Sequence, residues 1–440
     1  MPILIDGCKP LFGSVTASGA RNSALKIIFA SLFSNEDIYI ENVPRLESIY
    51  VDLEMIRSIG GKADWVRHNS LMVNGANLNT YIIPHDIGSR YRSTFLLAGP
   101  LLFRFGKASI PKYKSSAFTP SPTNRIVTTW KSLGINVEED ENYLHLSTDK
   151  IHASDIAFRT TTHMGTDNAI LSSLFVQGET SINNASEEPE IDDLIKFCNQ
   201  MGANVERVEP RKIKVTGTNI FKSTRYEVMS DKAEVAAFTA AALLTNGNIV
   251  IKKIDKFALT AFVNFLTKIG ANFEFSRDEL RIWHSGGNFQ ATELNISPSP
   301  GFVPDWMSYA TLLLTQAEGT SLIHDTVYVD RLEFTKDLNR IGAKIELIKP
   351  SSIGVLPVIS DDSYDFEKMG EPSTIARIIG PTKLKGEKMH IIDYRFFNMM
   401  VIAGIAAEGR TEIHGYETGY ESIEAFFDKL ISLGANLRIN

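Results

Sequence analysis

Apolar and polar positions along the chain fall into a pattern that recurs six times. Each copy has an early half, in which a predominantly apolar, helix-like segment runs through a turn into a strand. SALKIIFASLF leads into EDIYIENV, STFLLAGPLLF into GKASI, and NAILSSLFV into GETSINNA. In the second half of the chain VAAFTAAALL leads into GNIVIKKI, MSYATLLL into EGTSLIHD, and NMMVIAGIAA into EGRTEIHG. Each copy then has a late half, a helix that stops at a small-residue turn leading straight into another strand. Those turns centre on Gly60, Gly134, Gly202, Gly270, Gly342 and Gly434. An apolar residue followed by glycine ends a helix because glycine takes a left-handed conformation there without a Cβ clash. The pattern therefore predicts helix, strand, helix, strand in every copy. A repeat of roughly seventy residues is longer than the hairpin repeats of solenoids, so each copy is expected to be a small α/β unit in its own right.

Length changes the picture next. With 440 residues, 43% of them hydrophobic, the chain can fill large cores, and two α/β domains of three repeats each are expected. The expected junction is TRYEVMSDKAE, around 224–234, and the irregular stretch 350–373 lengthens the last interval as a surface loop or short subdomain. A net charge of −7 and a pI near 5.8 argue against a nucleic-acid groove. Two cysteines, Cys8 and Cys198, supply neither a disulfide framework nor a metal set. The start MPILIDGCKPLFG lacks the regions of a signal peptide, and no apolar run reaches the ~18 residues of a spanning helix. The expectation is a soluble cytoplasmic protein with no nucleic-acid or membrane partner.

Polar residues collect where the apolar helices begin: Ala20-Arg21-Asn22, Tyr91-Arg92-Ser93, Gly165-Thr166-Asp167, Asp231-Lys232, Pro304-Asp305 and Asp393-Tyr394-Arg395. An Asp, Asn or Ser at such a place is commonly a cap, because helix N-termini carry free N–H donors and partial positive charge. Arginine there adds to a positive end instead. Arg21, Arg92 and Arg395 thus point to a bound anion such as phosphate or carboxylate. Asp305, delivered by a proline-rich loop, reads either as an N-cap or as a general base for a sugar hydroxyl.

Taken with the repeat, four stretches resemble the enolpyruvyl transferases, and specifically their sugar-nucleotide branch: GSVTASGARNSALKIIFASLF (13–33), NNASEEPEIDDLIKF (183–197), PGFVPDWMSYATLLL (300–314) and DYRFFNMMVIAGIAAEG (393–409). The resemblance covers nearly the whole chain. It implies two inside-out α/β domains, 22–229 and 1–21 with 230–440. It also implies transfer of an enolpyruvyl group from phosphoenolpyruvate to a hydroxyl of UDP-N-acetylglucosamine or a related nucleotide, as in peptidoglycan synthesis. The reaction would be addition and elimination, with no cofactor and no metal. A shikimate-phosphate acceptor fits the motifs less well; the alternatives are a divergent paralogue with another acceptor or chemistry, and a non-catalytic nucleotide-sugar-binding protein. Carried over residue by residue, Asn22 matches the asparagine beside a phosphate-contacting lysine, and Arg21 stands where that lysine belongs. Asp305 would contact the sugar hydroxyl, and Arg395 pairs with Asp393 in an Asp-x-Arg motif. Arg92, Arg331, Gly165 and Asn124 would contact substrate.

The chain also departs from that family. The mobile loop of the family carries a cysteine or aspartate followed by an arginine-proline pair. Here SIPKYKSSAFTPSPTNRIV has neither acid nor cysteine. Counting back from the next SLG turn puts Ser116 at the cysteine and Ser121 at the arginine, with one inserted residue; without a gap, Lys114 takes the cysteine position. Lys112, Tyr113 or Lys114 are the residues that could substitute. Thr418 replaces a further arginine, and His163-Met164-Gly165 replaces a serine-containing triplet in the nucleotide loop. His163 reads either as an incidental loop residue or as a ligand contact.

Overall fold

The computed structural model describes residues 2–113, 123–360, 364–415 and 422–439. The chain divides into two compact units, Gly19–Met229 and Met1–Ser18 with Ser230–Asn440. In each unit the apolar helices form the core. Lys232–Leu244 and Phe397–Ala406 are buried on almost every face, as expected of helices with no polar stripe. The later helices of the repeats, such as Glu47–Ser58 and Pro189–Gln200, are amphipathic and lay one face on the sheets. All six punctuating glycines have positive φ, between 73° at Gly134 and 109° at Gly342.

The repeat is richer than helix, strand, helix, strand. The first five copies end in an antiparallel hairpin, for example Lys62–Arg67 with Ser70–Asn74 and Asn272–Ser276 with Glu279–Trp283. Their early strand pairs with the second hairpin strand on one side and with a parallel edge strand on the other. Short polar turns join the hairpin strands, so the second strand reads in sequence as part of the link. In the fifth repeat the link between Ile345–Ile348 and Ile375–Gly380 expands into the 350–373 stretch. That stretch contains a 3₁₀ turn at Pro350–Ile353 and a helical turn at Phe366–Met369 capped by Asp365. In the second repeat the parallel edge shrinks to a single bridge between Ile82 and Ser109.

Distant parts of the chain complete the outer sheets. Ile3–Asp6 lies antiparallel between Arg410–His414 and Asn436–Ile439, filling the place that a second hairpin strand holds in the other repeats. Phe12–Thr16 supplies the parallel edge for Asn248–Lys252, and Arg225–Glu227 does the same for Ile38–Glu41.

A buried carboxylate pins each unit where its chain segments meet. In Gly19–Met229, Asp193 accepts hydrogen bonds from Ser23 Oγ, from Tyr226 OH at 2.6 Å and from Met229 N at 3.2 Å. In the other unit Glu234 accepts from Ser18 N at 3.0 Å and pairs with Lys429, whose ammonium also reaches Ser18 Oγ at 2.6 Å. Burial pushes the Glu234 carboxyl up to about 7, against the opposing pull of Lys429. An unfolded glutamate titrates near ~4.3, so the folded state holds this proton more tightly. Stability is therefore favoured below about pH 4.5 and declines as pH rises toward about 7. Asp167 and Asp325, each raised to about 6 chiefly by burial, act in the same direction. Glu234→Gln is expected to make the decline in urea midpoint between about pH 4.5 and 7 measurably shallower. An unchanged slope would show that this carboxyl does not titrate in that window.

Candidate active site

The early apolar helices of three repeats pack together in the Gly19–Met229 unit: Arg21–Ala30, Ala98–Phe105 with its lead-in turn Arg92–Leu97, and His163–Ser173. Arg21 is the first residue of its helix, behind Ala20, which offers no side-chain cap. Arg21 and Asn22 are half-buried and Arg92 is exposed. Among the described residues, none of the three has a side-chain hydrogen bond or an ion pair within 4 Å. Arg92 stands on a fixed turn, because the neighbouring Ser93 hydroxyl donates to the buried Asp52 at 2.8 Å. Uncompensated guanidinium groups at helix starts add to the helix dipole, an arrangement suited to an anion.

The third helix begins earlier than the sequence pattern indicates. Thr162 is its N-cap, accepting from Gly165 N at 3.2 Å, and His163 is its first residue. Asp167 therefore lies a turn inside, facing the core instead of the helix mouth. A Cβ on Gly165 would come within 2.4 Å of Thr162 Cγ2 and 2.9 Å of Phe158, so this position needs glycine for packing. Asp167 meets Lys26 of the Arg21 helix, Nζ to Oδ1 2.8 Å, with both side chains almost fully buried. The two charges form a buried ion pair, and Lys26 draws the Asp167 carboxyl down against its burial. Lys26 Nζ is also 2.6 Å from His163 Nε2, and His163 Nε2 is 3.7 Å from Asp167 Oδ2. Burial raises the Asp167 carboxyl to about 6; Lys26 and Arg92 oppose this and Glu190 adds to it. Sequence reasoning missed Lys26, although a lysine amid SALKIIFA, where every neighbour but Ser23 is apolar, was a visible signal.

Helices Lys232–Leu244, Pro304–Leu314 and Phe397–Ala406 pack together in the other unit. Asp231 is an ordinary N-cap, accepting from Ala233 N at 2.7 Å and Glu234 N at 3.2 Å. Asp305 is different. It follows Pro304 in the first turn, the cap position belongs to Val303, and its exposed carboxylate caps nothing. Arg331 spreads over the Tyr328 ring at 4.1 Å. Burial works to lower the Arg331 guanidinium, but Tyr328 and the carboxylates Asp305, Asp325 and Asp393 outweigh it and hold the arginine more firmly protonated. Asp325 shapes the loop that carries Arg331 by accepting from Val327 N at 2.9 Å and Tyr328 N at 3.1 Å. Asp393 accepts from Arg395 N at 3.1 Å, from its Nε at 2.9 and 3.0 Å, and from its Nη2 at 2.6 Å. Arg395 is thus held as half of a bidentate ion pair.

Asp305, Arg331, Asp393 and Arg395 are brought together in one unit, and Arg21, Asn22, Arg92 and His163 stand on the packed helices of the other. Asn124 is exposed at the first position of Asn124–Ser132, a helix that packs on His163–Ser173. Lys112 is engaged elsewhere, with Glu139 at 3.0 Å and the Asp140 carbonyl at 2.5 Å. Ser116, Lys114, Ser121 and Thr418 lie outside the described residues. Among the described residues no three His, Cys, Asp or Glu side chains gather in a metal-binding group, and no helix is long and apolar enough to cross a membrane.

This geometry offers cations at helix starts, one exposed carboxylate and an arginine poised among acids, a set suited to handling multiply anionic reactants. Comparison with known proteins gives the same direction. The family model of EPSP synthase (3-phosphoshikimate 1-carboxyvinyltransferase) matches residues 5–430. The chain is 32% identical over 437 residues to a UDP-N-acetylglucosamine 1-carboxyvinyltransferase of Idiomarina loihiensis, covering 98% of each. It is 28% identical over 439 residues to the protein of that name from Wolbachia pipientis, covering 98% of this chain and 97% of the relative. Among solved structures, the enolpyruvyl transferase NikO from Streptomyces tendae superposes with a TM-score of 0.86 at 20% identity, covering 99% of this chain and 98% of that one. EPSP synthase from Acinetobacter baumannii superposes with a TM-score of 0.75 at 16% identity over the full length of both chains, and these two likenesses speak to the fold. Matched through both units by the family model and along its length by curated relatives, the chain belongs to the EPSP synthase family and is an enolpyruvyl transferase.

Proposed function

We propose that the enzyme moves the enolpyruvyl group of phosphoenolpyruvate to a hydroxyl of UDP-N-acetylglucosamine or a closely related nucleotide. The observation that carries this reading is the set of arginines at helix starts, Arg21 and Arg92 with no carboxylate within 4 Å among the described residues, alongside relatives named for that acceptor. In the addition step the acceptor oxygen bonds to C2 of phosphoenolpyruvate while C3 takes a proton. In the elimination step C3 returns a proton, the C2–O bond to phosphate breaks, and phosphate leaves. Asp305, uncommitted to capping, orients the hydroxyl and accepts its proton. Arg21 and Arg92 neutralise phosphate and carboxylate charge, with Asn22 as a neutral donor beside them. Arg331 serves the acceptor side, and Arg395 contributes its charge within the Asp393 pair.

A second acceptor is favoured by one observation. His163 and Met164 occupy the loop assigned to the nucleotide, above a buried Lys26–Asp167 pair, so an acceptor differing from UDP-N-acetylglucosamine near its phosphates is the variant reading.

The reading is tested by incubating the enzyme with phosphoenolpyruvate and a panel of uridine nucleotides and sugar nucleotides. Phosphate release and a carboxyvinyl mass gain on one acceptor are expected together; phosphate without an adduct would overturn it. Asp305→Ala is expected to lower kcat by ~10²–10⁴-fold while leaving the unfolding midpoint in place, since the side chain is exposed. Turnover equal to the parent would remove Asp305 from the chemistry. Of the two cysteines, Cys8 is exposed and Cys198 buried, with a thiol pushed far up by burial. A thiol-alkylating epoxide is therefore expected to spare activity and to leave its adduct, by mass spectrometry, on Cys8 alone.

A further inference from the structure

The helix Pro304–Leu314 carries a second polar residue on the side of Asp305. Tyr309 lies four residues further on, so the two side chains share a face of the helix. Long side chains on a helix lean toward its N-terminus and cover the turn before their own Cα. The Tyr309 ring is thereby carried back toward the helix mouth, where Asp305 stands. Trp306, on the adjoining flank, donates its indole N–H to the Lys232 carbonyl at 3.1 Å, which sets this side of the helix against the start of Lys232–Leu244.

Tyr309 is 7% exposed. A buried tyrosine hydroxyl ordinarily finds a hydrogen-bond partner, because giving up water without a replacement is costly. Among the described residues the Tyr309 hydroxyl has none, yet it is not sealed into the core. Two of the carboxylates near it are engaged: Glu234 with Ser18 N and Lys429, and Asp231 with the amides of Ala233 and Glu234. Asp305 caps nothing. Burial, and then Asp231, Asp305 and Glu234, hold the phenol in its protonated form, which is the form it takes near neutral pH even in water. A mouth rich in acceptors thus also holds an uncommitted O–H donor. Phenylalanine would fill the same space with no polar atom to satisfy, so packing alone does not call for the hydroxyl.

We propose that Tyr309 contacts the acceptor, donating its O–H to an oxygen that neighbours the reacting hydroxyl while Asp305 takes that hydroxyl's proton. The assignment rests on the function proposed above, in which Asp305 meets the reacting hydroxyl. It makes Tyr309 a specificity-determining residue. Acceptors with an oxygen-bearing substituent beside the reacting hydroxyl are favoured, because a sugar without one leaves the phenol unpaired in a site closed to water.

Tyr309→Phe removes the hydroxyl alone. Its unfolding midpoint is expected to match or exceed that of the parent, because no hydrogen bond among the described residues is lost. By calorimetric titration, affinity for UDP-N-acetylglucosamine is expected to fall about 3- to 12-fold, while affinity for uridine diphosphate, which lacks the sugar to be modified, stays within about twofold. Equal losses for both ligands would assign the effect to the nucleotide end or to the fold, and an unchanged affinity for UDP-N-acetylglucosamine would remove the contact; either result overturns the proposal. So does a parent enzyme that binds UDP-N-acetylglucosamine no more tightly than uridine diphosphate. The two readings fail separately. If the titrations split as expected but phosphoenolpyruvate gives no adduct on any acceptor of the panel, Tyr309 keeps its ligand and the proposed reaction falls. If Tyr309→Phe forms the adduct with the kcat and acceptor KM of the parent, the donor role falls and the proposed reaction stands.

Discussion

Helices without a polar stripe constrain everything else in this protein. Lys232–Leu244, His163–Ser173 and Phe397–Ala406 can be stable only when surrounded, so sheets and amphipathic helices must wrap them. A helix buried along its length has little surface left to carry chemistry except its ends. The N-terminal ends bring free N–H groups and partial positive charge at no further structural cost. A core built to satisfy hydrophobic burial thereby presents, in each unit, several electropositive helix mouths. Arginines at those mouths deepen what the backbone began, and the family's anionic chemistry follows from the architecture of its core.

Charge buried inside such a core must be balanced locally, and the molecule shows how. Asp193 and Glu234 accept hydrogen bonds from the segments that open and close their units, so their burial cost is offset where the chain most needs fixing. Asp325 uses two backbone amides to hold the loop bearing Arg331. Lys26 and Asp167 balance each other, and their pairing leaves one residual interaction, to His163, that reaches the half-exposed start of a helix. Buried polar groups here serve position more than net stability, consistent with the modest worth of ion pairs once desolvation is counted.

The repeat, its punctuating glycines and the apolar helices were legible in the sequence because each rests on local chemistry, a positive φ or a continuous apolar run. The hairpin strands were not. Ser70–Asn74 and Glu279–Trp283 depend on partners across a tight turn, and pairing leaves a weaker trace than periodicity. At the site, Arg21, Arg92 and Asp305 stood out because arginine at a helix start and a carboxylate after proline break local expectation. Thr162 as the cap of the third helix was less visible, since threonine there competes with several equally good candidates nearby. Lys26 shows a further limit. Its anomaly lay in plain view, but its meaning required Asp167 and His163, ~140 residues away, and only tertiary packing brings them together.

The strand Ile3–Asp6 has a consequence for how the molecule is made. It is synthesised ~400 residues ahead of both of its neighbours, Arg410–His414 and Asn436–Ile439. At about 5–20 residues per second the wait is on the order of 20 to 80 seconds. During that time Gly19–Met229 has everything needed to complete its own sheets, while Ile3–Asp6 remains a strand without a partner. The nascent chain thus finishes its inserted unit first and seals the outer one last. The same early strand that completes the last sheet is, until then, an open edge that a holdase chaperone would be well placed to shield.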